Sequence, residues 1–330
     1  MQVYGKNRRF ALIKYTKYAI FCIASSINTL KVFAQTSTPI RIVVGAPPGG
    51  STDTLAREIS AEMARQLGRT VVVENRAGAG GNIAAEAVAK AAPDGNTLLM
   101  SFTSHTINAS LYPQLSFDPI ADFTPLTMVA TSPSVLVAHP SLPVRDVREL
   151  IAYAKTRPGQ LSLAIGALGS SLHLAGDAFK MRAGVFMVNI PYRGTAPAIN
   201  DVVAGNVPLM FAAVGNARRL MEAGRLKALG VTAPKRLAVL PDVPSIAEVL
   251  PGYASNAWFG LFGPAKMDAA LVQRISDAAR AATRTEGFRK RLEADAAEPV
   301  GNTPAEFAQF VKADVQRWAQ IVKFSGAKPE

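Results

Sequence analysis

The chain has 330 residues, of which 49% are hydrophobic, and carries a formal net charge of +12. This hydrophobic content excludes a disordered protein, and the length allows one large domain or two medium ones. Basic residues are scattered and aromatic residues make up only 7%, so composition also argues against a nucleic-acid-binding surface.

The first 34 residues have the pattern of a secretory signal peptide. Basic residues precede an apolar segment at 18–27, and a short Val-Phe-Ala sequence ends at Ala34. A retained membrane anchor would need about 20 continuous apolar residues, whereas Asn28 and Lys31 interrupt this segment. The sequence therefore predicts cleavage after Ala34 and export to the periplasm.

Removal of this leader changes the charge and the cysteine content. The leader carries six Lys or Arg and no acidic residue, which leaves 30 basic against 24 acidic residues and a charge of +6. This charge favours anionic ligands only mildly. The sole cysteine, Cys22, is also removed, and an exported protein without disulfides is compatible with a bacterial periplasm.

A strand, a glycine loop and a helix are predicted at the start of the mature chain. The apolar run 40–44 turns through Pro-Pro-Gly-Gly into a helical pattern, and Ser51, Thr52 or Asp53 is expected to cap the helix. Free N–H groups at such a helix start favour an anion, although a plain scaffold turn is the alternative. Ser51 replaces the lysine of a phosphate-binding P-loop, which disfavours nucleotide hydrolysis.

The same unit then repeats along the first third of the chain. A strand at 70–74, a glycine loop at 76–82 and an Ala-rich helix to Ala92 are followed by a strand at 97–101. The segment 104–112 is a loop or short helix. This alternation predicts a parallel sheet covered by helices.

A second α/β pattern follows a predicted crossing between two strands, 126–130 and 135–138. Its strands are expected at 161–166, 186–191, 207–212 and 226–232. The segment 256–264 is predicted to return to the first sheet, and amphipathic helices at 268–282 and 304–324 end the chain, with Trp318 as a core residue. We therefore expect domain 1 at 35–131 and 258–330, domain 2 at 132–257, and a ligand cleft between them.

The mature sequence lacks the usual catalytic and cofactor motifs. Its histidines, His105, His139 and His173, show no metal-ligand spacing, and no dinucleotide fingerprint is present, so no metal or cofactor is expected. Ser170 or Ser171 with His173 suggests a secreted serine hydrolase, but the GxSxG motif is missing. A helix cap explains the serine pair better.

The chain resembles the Bug receptors, the extracytoplasmic solute-binding proteins of tripartite tricarboxylate transporters. The resemblance spans nearly the whole mature chain. It is carried by PPGGSTDTLAR (47–57), VVVENRAGAGGNIAAEAVAKAAPDG (71–95), GSSLHLAG (169–176), IPYRGTAPAINDVVAG (190–205), RLAVLPDVPSIAEV (236–249) and WFGLFGP (258–264).

The resemblance implies two hinged α/β domains of the type II periplasmic-binding-protein fold and a monomer that is not an enzyme. It implies a small organic carboxylate as ligand, such as a dicarboxylate, an amino acid or an aromatic acid, and membrane permease subunits as partners. A periplasmic ligand sensor is the alternative. The implied ligand-binding residues are Ala46, Pro48, Gly49, Gly50, Ser51, Thr52 and Asp53 in a first loop, Gly166, Gly169, Ser170 and Ser171 in a second, and His105, Tyr192, Arg193 and Trp258 as pocket walls.

One segment departs from the family pattern. Many relatives have an acidic residue directly before the Leu-Met-Phe strand, where this chain has Pro208, and Ala212 follows that strand. We therefore expect recognition by domain 2 to differ near these residues.

Overall fold

The computed structural model describes residues 38–293 and 296–329, so the predicted signal peptide and its cleavage site lie outside the described residues. No helix within these ranges is long and apolar enough to cross a membrane. The strands are β1 (Ile40–Val44), β2 (Val71–Asn75), β3 (Thr97–Phe102), β4 (Phe123–Ser132), β5 (Ser134–Ala138), β6 (Ser162–Ile165), β7 (Val188–Pro191), β8 (Leu209–Ala213), β9 (Lys227–Val231), β10 (Ala257–Pro264) and β11 (Glu298–Pro299).

The helices follow the apolar periodicity of the sequence at most positions. They are α1 (Ser51–Leu67), α2 (Asn82–Ala89), α3 (Ser104–Leu111), α4 (Val147–Lys155), α5 (Ser171–Ala183), α6 (Thr195–Val203), α7 (Val214–Glu222), α8 (Ala269–Thr283), α9 (Glu286–Glu293) and α10 (Pro304–Ser325). The sequence predictions omitted α9 and β11. Helix α4 begins directly after Asp146, which caps it by accepting a hydrogen bond from the Glu149 N–H.

Two mixed sheets confirm the α/β class but correct the prediction of parallel strands. The first sheet has the order β11-β4-β10-β3-β1-β2 and the second the order β7-β6-β8-β5-β9. In the first sheet β10 is antiparallel to both β3 and β4, and in the second β5 is antiparallel to both β8 and β9. A strand that enters a sheet at the edge where its neighbours end must run antiparallel to them, and β10 and β5 both do so.

The two sheets draw their strands from different parts of the chain. The strands of the first sheet come from residues before 133 and after 256, and those of the second from 134–231. The division into two domains that move about a hinge stays a proposal.

Helix α10 packs against the cores of both sheets. Phe307 and Val311, near its start, belong to a core cluster of the first sheet. Ile321 and the fully buried Trp318, farther along, belong to the core of the second, which confirms Trp318 as a core residue. One amphipathic helix therefore fixes the two sheets relative to each other.

A buried carboxylate, Asp314, lies on α10 between these two cores. Its Oδ2 accepts hydrogen bonds from Thr106 Oγ1 at 2.6 Å, Trp258 Nε1 at 2.9 Å and Trp318 Nε1 at 3.0 Å. Its Oδ1 accepts from Arg317 Nη2 at 2.6 Å. These donors lie on α3, β10 and α10, so a single carboxylate joins three elements at the junction of the sheets.

Replacing Asp314 tests how much this junction contributes to stability. Asp314→Asn leaves an amide group in place of one carboxylate oxygen among several buried donors, and we expect the free energy of unfolding to fall by about 3 kcal/mol. Asp277→Asn is a matched control, since Asp277 also pairs with the arginine three residues later but has a side chain that is 56% exposed.

For Asp277→Asn the expected change is below about 0.5 kcal/mol. Urea denaturation of both variants measures the difference. Equal losses in the two variants would contradict the importance of the buried junction.

Candidate functional site

The carboxyl ends of the parallel strands in both sheets lie where the chain crosses between the sheets. In the first sheet, the end of β3 is paired with the start of β10 through Phe102 and Phe259. In the second, the end of β8 is paired with the start of β5 through Ala213 and Ser134. Since only Pro133 separates β4 from β5, these two edges adjoin. Loops that follow β1 and β6 therefore reach the same junction, as expected for a ligand site in open α/β sheets.

The first loop, residues 46–53, is held by the carboxylate of Asp53, which is only 3% exposed. This carboxylate accepts hydrogen bonds from Gly49 N at 2.9 Å, Arg57 Nε at 3.0 Å and Asn75 Nδ2 at 2.9 Å. Asn75 Nδ2 also donates to Ala46 O at 3.0 Å. Asp53 thus fixes both ends of the turn.

The predicted helix cap is wrong in its details. The N-cap of α1 is Gly50, and no side chain caps this helix. Asp53 instead lies in the first turn of α1 and points back into the loop. The first N–H groups of the helix have no carbonyl partner within it and are available to an anion at its start.

The pKa of Asp53 is lowered to about 2. Hydrogen bonds from Arg57 are the largest cause; burial opposes them, and bonds from Gly49 and Asn75 lower the pKa further. The carboxylate is therefore ionised at every physiological pH. Its negative charge is already neutralised by Arg57, which limits its repulsion of an anionic ligand.

The second loop, residues 166–171, repeats the backbone pattern of the first. In each loop a glycine with positive φ, Gly49 at +82° and Gly169 at +69°, donates its N–H to the side chain four residues later. The acceptor is Asp53 in the first loop and His173 Nδ1, at 3.0 Å, in the second.

The residues after these two glycines also correspond. Gly50 N donates to Pro47 O at 3.4 Å, and Ser170 N donates to Ala167 O at 3.4 Å. Gly50 and Ser170 are then the N-caps of α1 and α5. Ser170 Oγ accepts a hydrogen bond from His173 N at 3.2 Å, which confirms the predicted role of this serine as a helix cap. Two helix starts with the same geometry thus flank the junction.

The geometry of His173 does not fit a serine hydrolase that uses Ser170. Its Nδ1 accepts from Gly169 N, and its Nε2 lies 3.0 Å from Asp177 Oδ2. Ser170 Oγ donates to Ala167 O at 2.8 Å instead of to the imidazole. Both ring nitrogens are committed to other groups, so His173 is not placed as the base for a serine nucleophile.

Helix α3 contacts loops that belong to both sheets. Asn108 Nδ2 donates to Gly80 O at 3.2 Å in the loop that follows β2. One turn further along α3, a Cβ on Gly169 would lie 2.7 Å from Leu111 Cδ2, so the second loop packs tightly against this helix. The same helix therefore contacts the loop after β2 and the second loop.

Of the four predicted pocket-wall residues, two are buried and two are partly or well exposed. His105 and Trp258 are 4% and 1% exposed; His105 Nε2 donates to Pro119 O at 2.9 Å and stacks on Phe262. Tyr192 is half-buried, and its hydroxyl donates to Asp201 Oδ2 at 2.7 Å. Only Arg193 is well exposed. His105 and Trp258 accordingly lie beneath the site.

Pro208, where the sequence departs from the family pattern, lies away from the two loops. β6 and β8 are parallel, with Leu163 paired to Leu209, so Pro208 precedes β8 at the edge opposite the second loop. Ala212 lies near the other end of β8 but is fully buried. The sequence comparison could not show this, because it carries no information on which end of the strand faces the ligand.

A shallow, solvent-open depression lies beside the start of α1. Its lining combines the first turn of α1 with residues at the crossing between the sheets, and α9 closes its far side. The lining residues are Ser51, Thr54, Leu55, Ser132, Phe259, Arg291, Leu292 and Ala297.

Comparison with known proteins identifies the family. Residues 55–326 match the family model described as "Tripartite tricarboxylate transporter family receptor". The chain belongs to this receptor family. The receptor is 36% identical to protein BugT of Bordetella pertussis over 88% of its own length and 90% of that protein, which confirms the resemblance to the Bug receptors.

Solved structures of similar proteins share the fold of the receptor. The Rpa4515 protein of R. palustris, solved with adipate, is 35% identical, with a TM-score of 0.72 over 89% of this chain and 99% of that one. MatC of Rhodopseudomonas palustris, with bound malate, is 35% identical, with a TM-score of 0.69 over 86% of this chain and 98% of that one.

The sequence interpretation missed the residues that support the two loops. Arg57 had a detectable signal, because a basic residue four positions after Asp53 on a helix is placed to pair with it. The same spacing links His173 to Asp177. Asn75 and Asn189 had no such signal, since Asn75 reaches Asp53 from β2, and Asn189 reaches His173 from β7, where its Nδ2 lies 3.1 Å from His173 Nε2.

Gly49 provides a direct test of the first loop in the receptor. Its φ of +82° is unfavourable for other residues, while nothing lies within 4 Å of a Cβ placed there. Gly49→Ala therefore strains the backbone by about 1 kcal/mol without a clash, and we expect a carboxylate ligand to bind roughly fivefold more weakly.

Gly68→Ala is the matched control, since Gly68 has a φ of +63° and equally open surroundings at the opposite end of α1. Thermal unfolding should show similar destabilisation of both variants, and titration calorimetry should show weaker binding only for Gly49→Ala. Loss of affinity in both variants would contradict a specific role of the first loop.

His105 should make the stability of the receptor depend on pH. Burial lowers its pKa from 6.5 to about 4, although the hydrogen bond to Pro119 opposes this. Between these values the unfolded chain binds the proton and the folded one does not, so the free energy of unfolding falls as the pH decreases, by about 3 kcal/mol in total.

Denaturant unfolding from pH 7 to pH 4 measures this loss. His105→Gln should show a smaller decline than the wild type over this range. His139→Gln is the control, because His139 is half-buried and bonded to Ser141 at the surface. An identical pH dependence in the wild type and His105→Gln would rule out His105 as the source.

Proposed function

We propose that this receptor captures a small dicarboxylate in the periplasm, between its first and second loops, and presents it to the permease subunits of a tripartite transporter. The chain binds the ligand without chemical conversion and without a cofactor, and it acts as a monomer. Export depends on the predicted signal peptide.

The matched geometry of the two loops is the observation that carries this proposal. Each loop begins a helix whose first N–H groups lack carbonyl partners, and the two loops belong to sheet edges that adjoin. A helix N-terminus favours a carboxylate through these N–H groups and through the helix dipole. Two such sites side by side suit a ligand with two negative groups.

The ligands of the solved relatives support the same chemical class. Adipate and malate, named with Rpa4515 and MatC, are both dicarboxylates, and each protein is 35% identical to this receptor. We assign a dicarboxylate ligand to this receptor because of that similarity and because of the loop geometry.

Arg193 is the side chain best placed to add a charge contact. It lies two residues after the end of β7, next to the second loop, where Gly194 N donates to Gly166 O at 2.8 Å. Its guanidinium is exposed and makes no ion pair or hydrogen bond to the described part of the chain. An arginine can bind a carboxylate through two parallel hydrogen bonds.

Titration calorimetry at pH 8 with succinate, malate, adipate and acetate tests the proposal. We expect the dicarboxylates to bind more tightly than acetate. Arg193→Gln should weaken dicarboxylate binding about tenfold, which corresponds to about 1.4 kcal/mol.

Arg225→Gln is the control, because Arg225 is equally exposed but precedes β9 at the edge opposite the loops. Binding of no dicarboxylate would overturn the proposed function. Unchanged binding in Arg193→Gln would reject only the contact from this side chain.

A further inference from the structure

We propose that Asn108, a buried side chain on α3, is a positioning residue for the first loop. It acts through the glycine loop that follows β2, residues 76–82, which is called the β2 loop below. The inference rests on the proposed function, because the first loop is one side of the proposed dicarboxylate site.

The β2 loop contains an exposed and strained turn. Four consecutive residues have positive φ, namely Gly78 at +132°, Ala79 at +47°, Gly80 at +62° and Gly81 at +94°. Ala79 has a Cβ, so this left-handed conformation is unfavourable for it. Residues 76–80 are all exposed, and within the turn Gly81 N donates to Gly78 O at 2.9 Å. Such a turn keeps its shape only where the surrounding structure holds it.

Asn108 holds this turn from the buried side. It is 2% exposed, and its Nδ2 donates to Gly80 O at 3.2 Å and to Asn82 Oδ1 at 2.7 Å. A Cβ on Gly80 would lie 3.1 Å from Asn108 Nδ2, so the backbone of the turn approaches the amide closely. A single amide group thus fixes both the turn and the start of α2.

The β2 loop in turn supports the base of the first loop. Arg76 N donates to Val44 O at 2.8 Å, at the end of β1. The next residue, Gly45, packs against Gly81 so closely that a Cβ on Gly45 would lie 2.8 Å from Gly81 Cα. The first loop begins one residue later, at Ala46. A shift of Gly81 therefore displaces the residue from which the first loop starts.

The second loop has a separate contact with the same helix. Leu111, one turn after Asn108 on α3, packs against Gly169 through its Cδ2. Removal of the Asn108 amide takes away the support of the β2 loop but leaves the Leu111 side chain in place. The effect on the first loop can therefore be separated from the effect on the second.

Asn108→Leu tests the inference, because leucine has nearly the shape of asparagine but cannot donate. The turn that loses its donor is exposed, so Gly80 O can bind water instead and the fold should be retained. Calorimetry at pH 8 on the whole mature chain should show adipate binding about fivefold more weakly than to the wild type.

Ser276→Ala is the matched control for the loss of a buried donor. Ser276 is fully buried on α8, and its Oγ donates to the backbone carbonyl of Leu126 at 2.8 Å. This variant should have a lower thermal stability and an unchanged affinity for adipate. Wild-type affinity in Asn108→Leu, or an equal loss of affinity in both variants, would overturn the inference.

Ala79→Gly provides a rescue that acts on the turn alone. Glycine adopts the left-handed conformation without the cost that alanine has, so the turn should depend less on Asn108. The double variant Asn108→Leu with Ala79→Gly should bind adipate within about twofold of the wild type. A double variant as weak as Asn108→Leu would show that Asn108 does not act through the β2 loop.

A second readout does not depend on the ligand. In the unliganded protein, the amide resonance of Ala46 should shift in Asn108→Leu while that of Gly169 stays in place. An unmoved Ala46 resonance, or equal shifts of both, would contradict the inference. A shift of Ala46 in a protein whose wild type binds no dicarboxylate would instead support the positioning role and reject the proposed function.

Discussion

The carboxylate of Asp314 is the constraint on which the arrangement of the two sheets depends. It is 3% exposed and accepts hydrogen bonds from two indole groups, a hydroxyl and a guanidinium. Burial of a carboxylate or of its donors without hydrogen-bond partners is costly. Helices α3 and α10 and strand β10 are therefore stable together only in the geometry that forms all of these hydrogen bonds. Helix α3 also contacts the loop after β2 through Asn108 and the second loop through Leu111, so this buried junction connects to both sheets' loops.

The two loops are each held in place without a basic residue at their centre. In each loop, a side chain four residues after a glycine with positive φ accepts the glycine N–H and holds the turn. The acceptor is Asp53 or His173, and both are buried beneath the loop. Under the proposed function, the N–H groups at the helix starts that no side chain caps are left for the ligand, and their geometry is fixed before it binds. Side chains contribute mainly by holding the backbone.

Much of the fold follows from local sequence, and the exceptions have identifiable causes. Apolar runs and periodicity were sufficient for β1, α1, α8 and α10, which are long or sharply bounded. The antiparallel direction of β5 and β10 was not predictable, because it depends on the edge at which the chain enters each sheet. The position of Pro208 relative to the second loop also depends on strand direction. Periodicity carries no information about the direction of a strand.

The sequence by itself determined the α/β class, the positions of the two glycine loops and the family, because glycine content, apolar periodicity and motif spacing are local properties. Only the tertiary structure decided that Asp53 and His173 support the loops from beneath, that Trp258 and His105 are buried, and that the two loops share one backbone pattern. These outcomes depend on partners such as Asn75, Asn189 and Asp314, which are distant in sequence. Burial and hydrogen bonding between distant elements exist only once the chain has folded.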